Sequence, residues 1–154
     1  MGMTGQYIAV SSDMLQAIKN QELSIHSLEV GLDIDKSWQA LHYVLCGSIA
    51  EGEPPLGYIV PLTTSYIGHL SDVEAFALSP EQIRETLAAV EQITAAELRE
   101  QYNFVEMLEN AVYPLTEDDT AEEFFDYIYE NFVAIREFYT QTAAEEQNII
   151  FYVF

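Results

Sequence analysis

Acid, base and aromatic groups gather within three helical turns at one place in this 154-residue chain, the stretch Asp33-Ile34-Asp35-Lys36-Ser37-Trp38-Gln39-Ala40-Leu41-His42. On a helix beginning after Asp35, Trp38 and His42 lie four residues apart on one face. Lys36 points elsewhere, and Asp33 and Asp35 sit at or before the helix start. That arrangement suits a ligand pocket in which Trp38 is a flat apolar wall, His42 a titratable donor, and an aspartate orients it or a ligand. It equally suits a structural role, with Asp35 capping the helix, Asp33 pairing with Lys36, Trp38 in the core and His42 a hydrogen-bonded core histidine. Cys46 follows His42 by four residues, the spacing of a thiol and imidazole pair. Between Leu45 and Gly47 at a helix end it also reads as a small core residue.

A second concentration of chemistry is purely acidic: Glu117, Asp118, Asp119, Glu122, Glu123 and Asp126 put six carboxylates into ten residues. Calcium or magnesium accepts oxygen-only ligands, but no Asp-x-Asp-x-Asp-Gly loop is present, and acids at a helix start are favoured by the helix dipole alone. His26, His42 and His69 are scattered, and one cysteine cannot complete a zinc thiolate set. The glycines do not form a phosphate-cradling loop between a strand and a helix. No metal site, cofactor or catalytic set is therefore expected.

The whole chain shares this acidity, with 26 Asp and Glu against five Lys and Arg and a formal net charge of -21. That field repels nucleic-acid phosphate and anionic membranes, and it exceeds the magnitude of about 2 to 8 that keeps a small domain soluble. It suits a basic protein partner, as in small acidic inhibitors, or a solvated surface in an organism whose proteins are generally acidic. No apolar run approaches the roughly 18 residues of a membrane span. Met1 to Gln6 lacks the basic and apolar regions of an export signal, and the lone cysteine suits a reducing cytoplasm.

The elements that must position these residues are readable from pattern. Strands are expected near 6–10, 73–78 and 148–154, the last buried on both faces. Helices are expected after Ser11-Ser12-Asp13, and from Asp35 to Gly47 with Trp38, Leu41, His42 and Leu45 on one face. Further helices are expected after Ser79-Pro80, from Thr94 through Leu98, from Phe104 to Val112, and from Thr120 to about Ala144. Capping-box patterns stand at Ser79, Thr94 and Thr120. The segment 23–33 fits either an extended strand or a short helix and loop. The segment 47–72, rich in glycine, proline and serine or threonine, reads as irregular, exposed or ligand-facing. The sum is a single α+β domain, a small mixed or antiparallel sheet with helices packed against it.

Asp33-Ile34-Asp35-Lys36-Ser37-Trp38 with Leu41-His42-Tyr43 and Leu45-Cys46-Gly47 resembles the YfbM-like family of bacterial and phage proteins, a family of unknown function. Met1-Gly2-Met3 with Gly5 and Tyr7, Leu78-Ser79, Tyr113-Pro114, Phe138-Tyr139 and Ala143-Ala144 extend the resemblance in the same order over nearly the whole chain. The family commonly has threonine where Cys46 stands and an aromatic where Leu115 and Thr116 stand. The resemblance implies a compact α+β fold in a cytoplasmic setting and brings no activity with it.

The leading functional expectation is a non-enzymatic interaction protein, an inhibitor or immunity-type factor with a basic partner. The alternative is a small-molecule binder or minor enzyme using the Trp38 and His42 face. The long aromatic helix also allows a homodimer if Tyr129 or Tyr139 is exposed.

Overall fold

The computed structural model describes residues 2–154. In chain order the elements are β1 (Gly5–Val10), α1 (Ser12–Lys19), β2 (Leu32–Asp33), α2 (Trp38–Cys46), β3 (Tyr66–Leu70), β4 (Val73–Leu78), α3 (Pro80–Val90), α4 (Ala95–Gln101), α5 (Phe104–Glu109), α6 (Ala121–Ala144) and β5 (Asn148–Val153). The five strands form one antiparallel sheet in the order β2-β1-β5-β4-β3, so the expected α+β class holds and the sheet is antiparallel rather than mixed.

β5 takes the centre because it carries apolar side chains in both directions. Ile149 and Phe151 join Tyr7, Phe76 and Leu78 beneath α2, α3 and α6. Ile150 and Tyr152 join Ile8, Val10, Val73 and Ala75 on the opposite face, covered by Ile18 of α1 and by Ile25. Period-two alternation thus splits one sheet between two cores. α6 is the long wall of the larger one: its 24 residues span about 36 Å at 1.5 Å each. It buries Phe124, Phe125, Ile128, Phe132, Ile135 and Tyr139 along one stripe. Tyr139 is 1% exposed and Tyr129 is half-buried against Phe125 and Phe132, so neither of the two tyrosines considered for a homodimer contact stands fully exposed.

Helix starts follow their side-chain signals. Ser79 and Gln82 make the reciprocal capping box with Pro80 in the first turn of α3. Thr94 and Thr120 accept from the backbone N–H three residues on, at 3.1 and 3.3 Å. Asp35 behaves otherwise than expected. It stands at φ 54 in a single 3-10 turn, Asp35–Ser37, and caps nothing, because its carboxylate is drawn away to Tyr127. α2 begins at Trp38 without a side-chain cap and ends, as expected, at a left-handed Gly47.

The 23–33 segment resolves as a 3-10 turn, Ile25–Ser27, followed by the two-residue β2. Within 47–72 two expectations need correction. The segment contains β3, whose alternation is broken by a register shift at Gly68, φ 125. Its middle is also not exposed: Ile59 and Val60 are fully buried. The Tyr7 hydroxyl donates to the Ile59 carbonyl at 2.7 Å, and the Tyr139 hydroxyl donates to Tyr58 and Ile59 carbonyls at 2.7 and 3.2 Å. Three core side chains, counting His42 below, hold an irregular backbone that has no ladder to satisfy it.

Candidate functional site

The fold divides the Asp33 to His42 motif between core and surface. Trp38 is 8% exposed, donates its indole N–H to the Met3 carbonyl at 2.9 Å, and packs 5.7 Å from the Tyr113 ring. The Tyr113 hydroxyl in turn accepts from the Met3 N–H at 2.8 Å, which fastens the segment preceding β1 over the indole. His42 is 1% exposed, with Nδ1 2.8 Å from the Val60 carbonyl and Nε2 3.2 Å from the Glu51 carbonyl. The open Trp38 and His42 face expected for a small-molecule site is therefore absent. Both rings are consumed in holding neighbouring backbone. Cys46 is half-buried and burial pushes its thiol up to about 11, which opposes the thiolate that a nucleophile requires.

Asp35 and Lys36 remain at the surface. Asp33 Oδ1 accepts from the Asp35 N–H at 2.7 Å and Oδ2 from the Gln6 amide at 3.3 Å. The Tyr127 hydroxyl donates to Asp35 at 2.7 Å and accepts from the Lys36 N–H at 3.0 Å. Burial first, and then the Asp35 carboxylate, drive the Tyr127 phenol well above its ordinary value. The Lys36 side chain runs over Gly2, where a Cβ would lie 2.1 Å from Cε. The expected Asp33 and Lys36 ion pair does not form among the described residues.

What the tertiary structure adds is the junction of the two sequence clusters. Asp35 and Lys36 from the turn before α2 meet Thr116 and Asp119 from the turn before α6, and Glu123, Phe124 and Tyr127 from its first turns, around a surface cavity of about 430 Å³. The connection is the Tyr127 hydroxyl, 92 residues from Asp35 in the chain. Phe124, Tyr127 and Pro114 give this cavity apolar walls, and Asp35, Asp119 and Glu123 give it three carboxylates against one lysine. Such a lining accommodates an ammonium or guanidinium group carried on an apolar stem.

The six acids of 117–126 are all exposed but serve different ends. Asp119 accepts from the Thr116 N–H at 2.9 Å and braces the turn before α6. Glu122 holds Arg99 through two hydrogen bonds of 3.1 and 3.2 Å, while the Arg99 guanidinium lies 4.1 Å from the centre of the Phe125 ring. Glu117, Asp118, Glu123 and Asp126 make no ion pair among the described residues. No three His, Cys, Asp or Glu side chains among the described residues come together as a metal-binding group.

One network escaped the sequence reading. On the β3 and β4 hairpin, Glu74 accepts from the Tyr66 hydroxyl and lies 2.7 Å from Nδ1 of the cross-strand His69. The Tyr66 hydrogen bond first, and then His69, lower the Glu74 carboxyl. Its three members are 5 and 8 residues apart, and only strand pairing brings them together. With β3 unrecognised, the sequence carried no signal for it.

Comparison with curated proteins finds no match. Among solved structures, the fold matches the crystal structure of YfbM, a protein of unknown function from Escherichia coli, with a TM-score of 0.79 at 22% identity. That match covers 98% of this chain and 99% of the other. At that identity the likeness concerns the fold alone. Residues 1–152 match the family model described as a domain of unknown function, DUF1877. The chain therefore belongs to the DUF1877 family, in agreement with the YfbM-like resemblance of its motifs.

Proposed function

We propose that this protein is a non-enzymatic interaction factor, of the inhibitor or immunity type, that binds a basic protein partner in a reducing cytoplasm. The observation that carries the reading is the cavity where Asp35, Asp119 and Glu123, contributed by distant segments, face one another beside aromatic walls. It lies on a surface where only Glu122 and Glu74, of 26 acidic residues, make ion pairs among the described residues. Each exposed contact with a partner's lysine or arginine contributes only about 0 to 1 kcal/mol. The collective field speeds encounter with a basic surface and is screened over roughly 10 Å at 0.1 M salt. The same field repels nucleic acid.

The test is affinity capture from the native lysate at low and high salt, comparing the wild type with a Glu117→Lys, Glu123→Lys, Asp126→Lys variant of unchanged melting temperature. A basic protein retained at low salt, released at high salt and lost by the variant is the expected result. Equal retention by both proteins removes the contact from the α6 start. Retention of no basic protein at either salt refutes the reading.

A further inference from the structure

Away from the α6 start, a furrow runs between the C-terminal half of α2 and α4. It consists of two adjoining cavities of about 400 and 450 Å³ that share Val44, Leu45, Glu100 and Gln101 as lining. Val44 and Leu98, 4% and 2% exposed, form the floor of the first, and half-buried Leu45, Leu56 and Ile93 form its sides. Apolar side chains thus face a depression that no element of this chain fills.

The charge around that floor has one sign. Glu97 and Glu100 stand over the first cavity, and Glu100 and Glu106 over the second. Neither cavity has a lysine or arginine in its lining. The one basic residue of α4, Arg99, is turned away to Glu122 and the Phe125 ring. Glu106 is held in place by the Tyr43 hydroxyl and by the Asn103 amide at 3.4 Å. The second cavity also receives the end of α2 at Cys46 and Gly47, and α2 has no basic residue in its last turn. The partial negative charge of that helix terminus adds to the carboxylates.

An apolar floor between acidic rims is complementary to a segment that is apolar on one face and cationic on the other. The first depression, with Leu45, Leu56 and Ile93 at its sides, suits an apolar anchor, and the more polar second one, with Glu100 and Glu106, suits a cationic side chain of the same amphipathic helix, the helix-in-groove mode of recognition. We propose that the furrow between α2 and α4 docks a cationic amphipathic helical segment of the partner. Its apolar side chains pack against half-buried Leu45, Leu56 and Ile93 above the Val44 and Leu98 floor, and its lysines or arginines meet Glu97, Glu100 and Glu106. The inference rests on the basic-partner reading and specifies the chemistry of the partner's contact.

The experiment is fluorescence anisotropy at low salt with two synthetic peptides of leucine and lysine. The first is patterned as an amphipathic helix, and the second has the same composition scrambled so that no apolar face forms. Each is titrated with the wild type, with a Glu97→Gln, Glu100→Gln variant, and with a Glu145→Gln, Glu146→Gln variant that loses the same charge at exposed positions beyond the end of α6. The expected result is binding of the patterned peptide about 10-fold tighter than the scrambled one. A loss of about 10-fold is expected for the Glu97 and Glu100 variant, and under about 2-fold for the Glu145 and Glu146 variant. Equal binding of the two peptides, or equal losses in the two variants, overturns the groove and leaves the basic-partner reading standing. Binding of neither peptide also overturns the groove, while the basic-partner reading is decided by the lysate capture.

Discussion

Replacing His42 by leucine distinguishes a histidine that holds the fold from one that serves a ligand. Leucine is close in volume and keeps the apolar packing, but it removes both ring nitrogens. The Val60 carbonyl, 2.8 Å from Nδ1, lies in a fully buried residue and loses its side-chain partner. The Glu51 carbonyl belongs to an exposed residue and exchanges its contact for water. One orphaned buried acceptor costs about 1 to 3 kcal/mol. For a chain of this size, about 2 to 4 °C of melting temperature accompanies each kcal/mol, so a fall of about 2 to 12 °C is expected. Urea denaturation checks the sign independently: the midpoint shifts down while the slope stays that of the wild type, since the surface exposed on unfolding is unchanged. The same variant, still folded at 20 °C, is expected to bind the patterned cationic peptide as the wild type does. A loss below about 0.5 kcal/mol would refute the core assignment. Intact stability with lost peptide binding would return His42 to the candidate site.

Two further outcomes follow from the packing and the hairpin. Glu74 titrates below the ordinary carboxyl value because Tyr66 and His69 hydrogen-bond its charged form, and NMR titration of Tyr66→Phe should raise it more than His69→Gln does. Its depressed folded value means that its contribution to stability is present above the unfolded carboxyl pKa and is lost as pH falls through the folded one. A Glu74 value unmoved by Tyr66→Phe would remove the phenol as the main cause. Gly5→Ala should destabilise by about 1 to 3 kcal/mol in urea denaturation, because the added Cβ would lie 2.9 Å from Trp38 Cβ and 3.1 Å from Ile34 and Phe151. A neutral Gly5→Ala would show that β1 and α2 yield freely there.

Local signals were enough for most elements. Ser79-Pro80-Glu81-Gln82 writes the start of α3 within four residues, Gly47 writes the end of α2, and the aromatic period from Phe124 to Tyr139 writes α6. The run from Ile149 to Val153 announced a strand apolar in both directions, and only a strand at the centre of a sheet covered on both faces satisfies that. The charge and the family motifs were likewise properties of the chain alone.

Tertiary structure decided which polar residues were left for function. Adjacent motif residues share a sequence but not an environment: the helical turn carries Trp38 and His42 inward while Asp35, at positive φ, is held at the surface by Tyr127. Whether the 47–72 segment faced water depended on Tyr7, Tyr139 and His42 reaching its carbonyls from distant elements. The same long-range packing brought Asp35 to Asp119 and Glu123, and left a furrow between α2 and α4. Periodicity reports one helix face at a time. A cavity or groove is made by two faces meeting, and that depends on contacts which spacing along the chain does not encode.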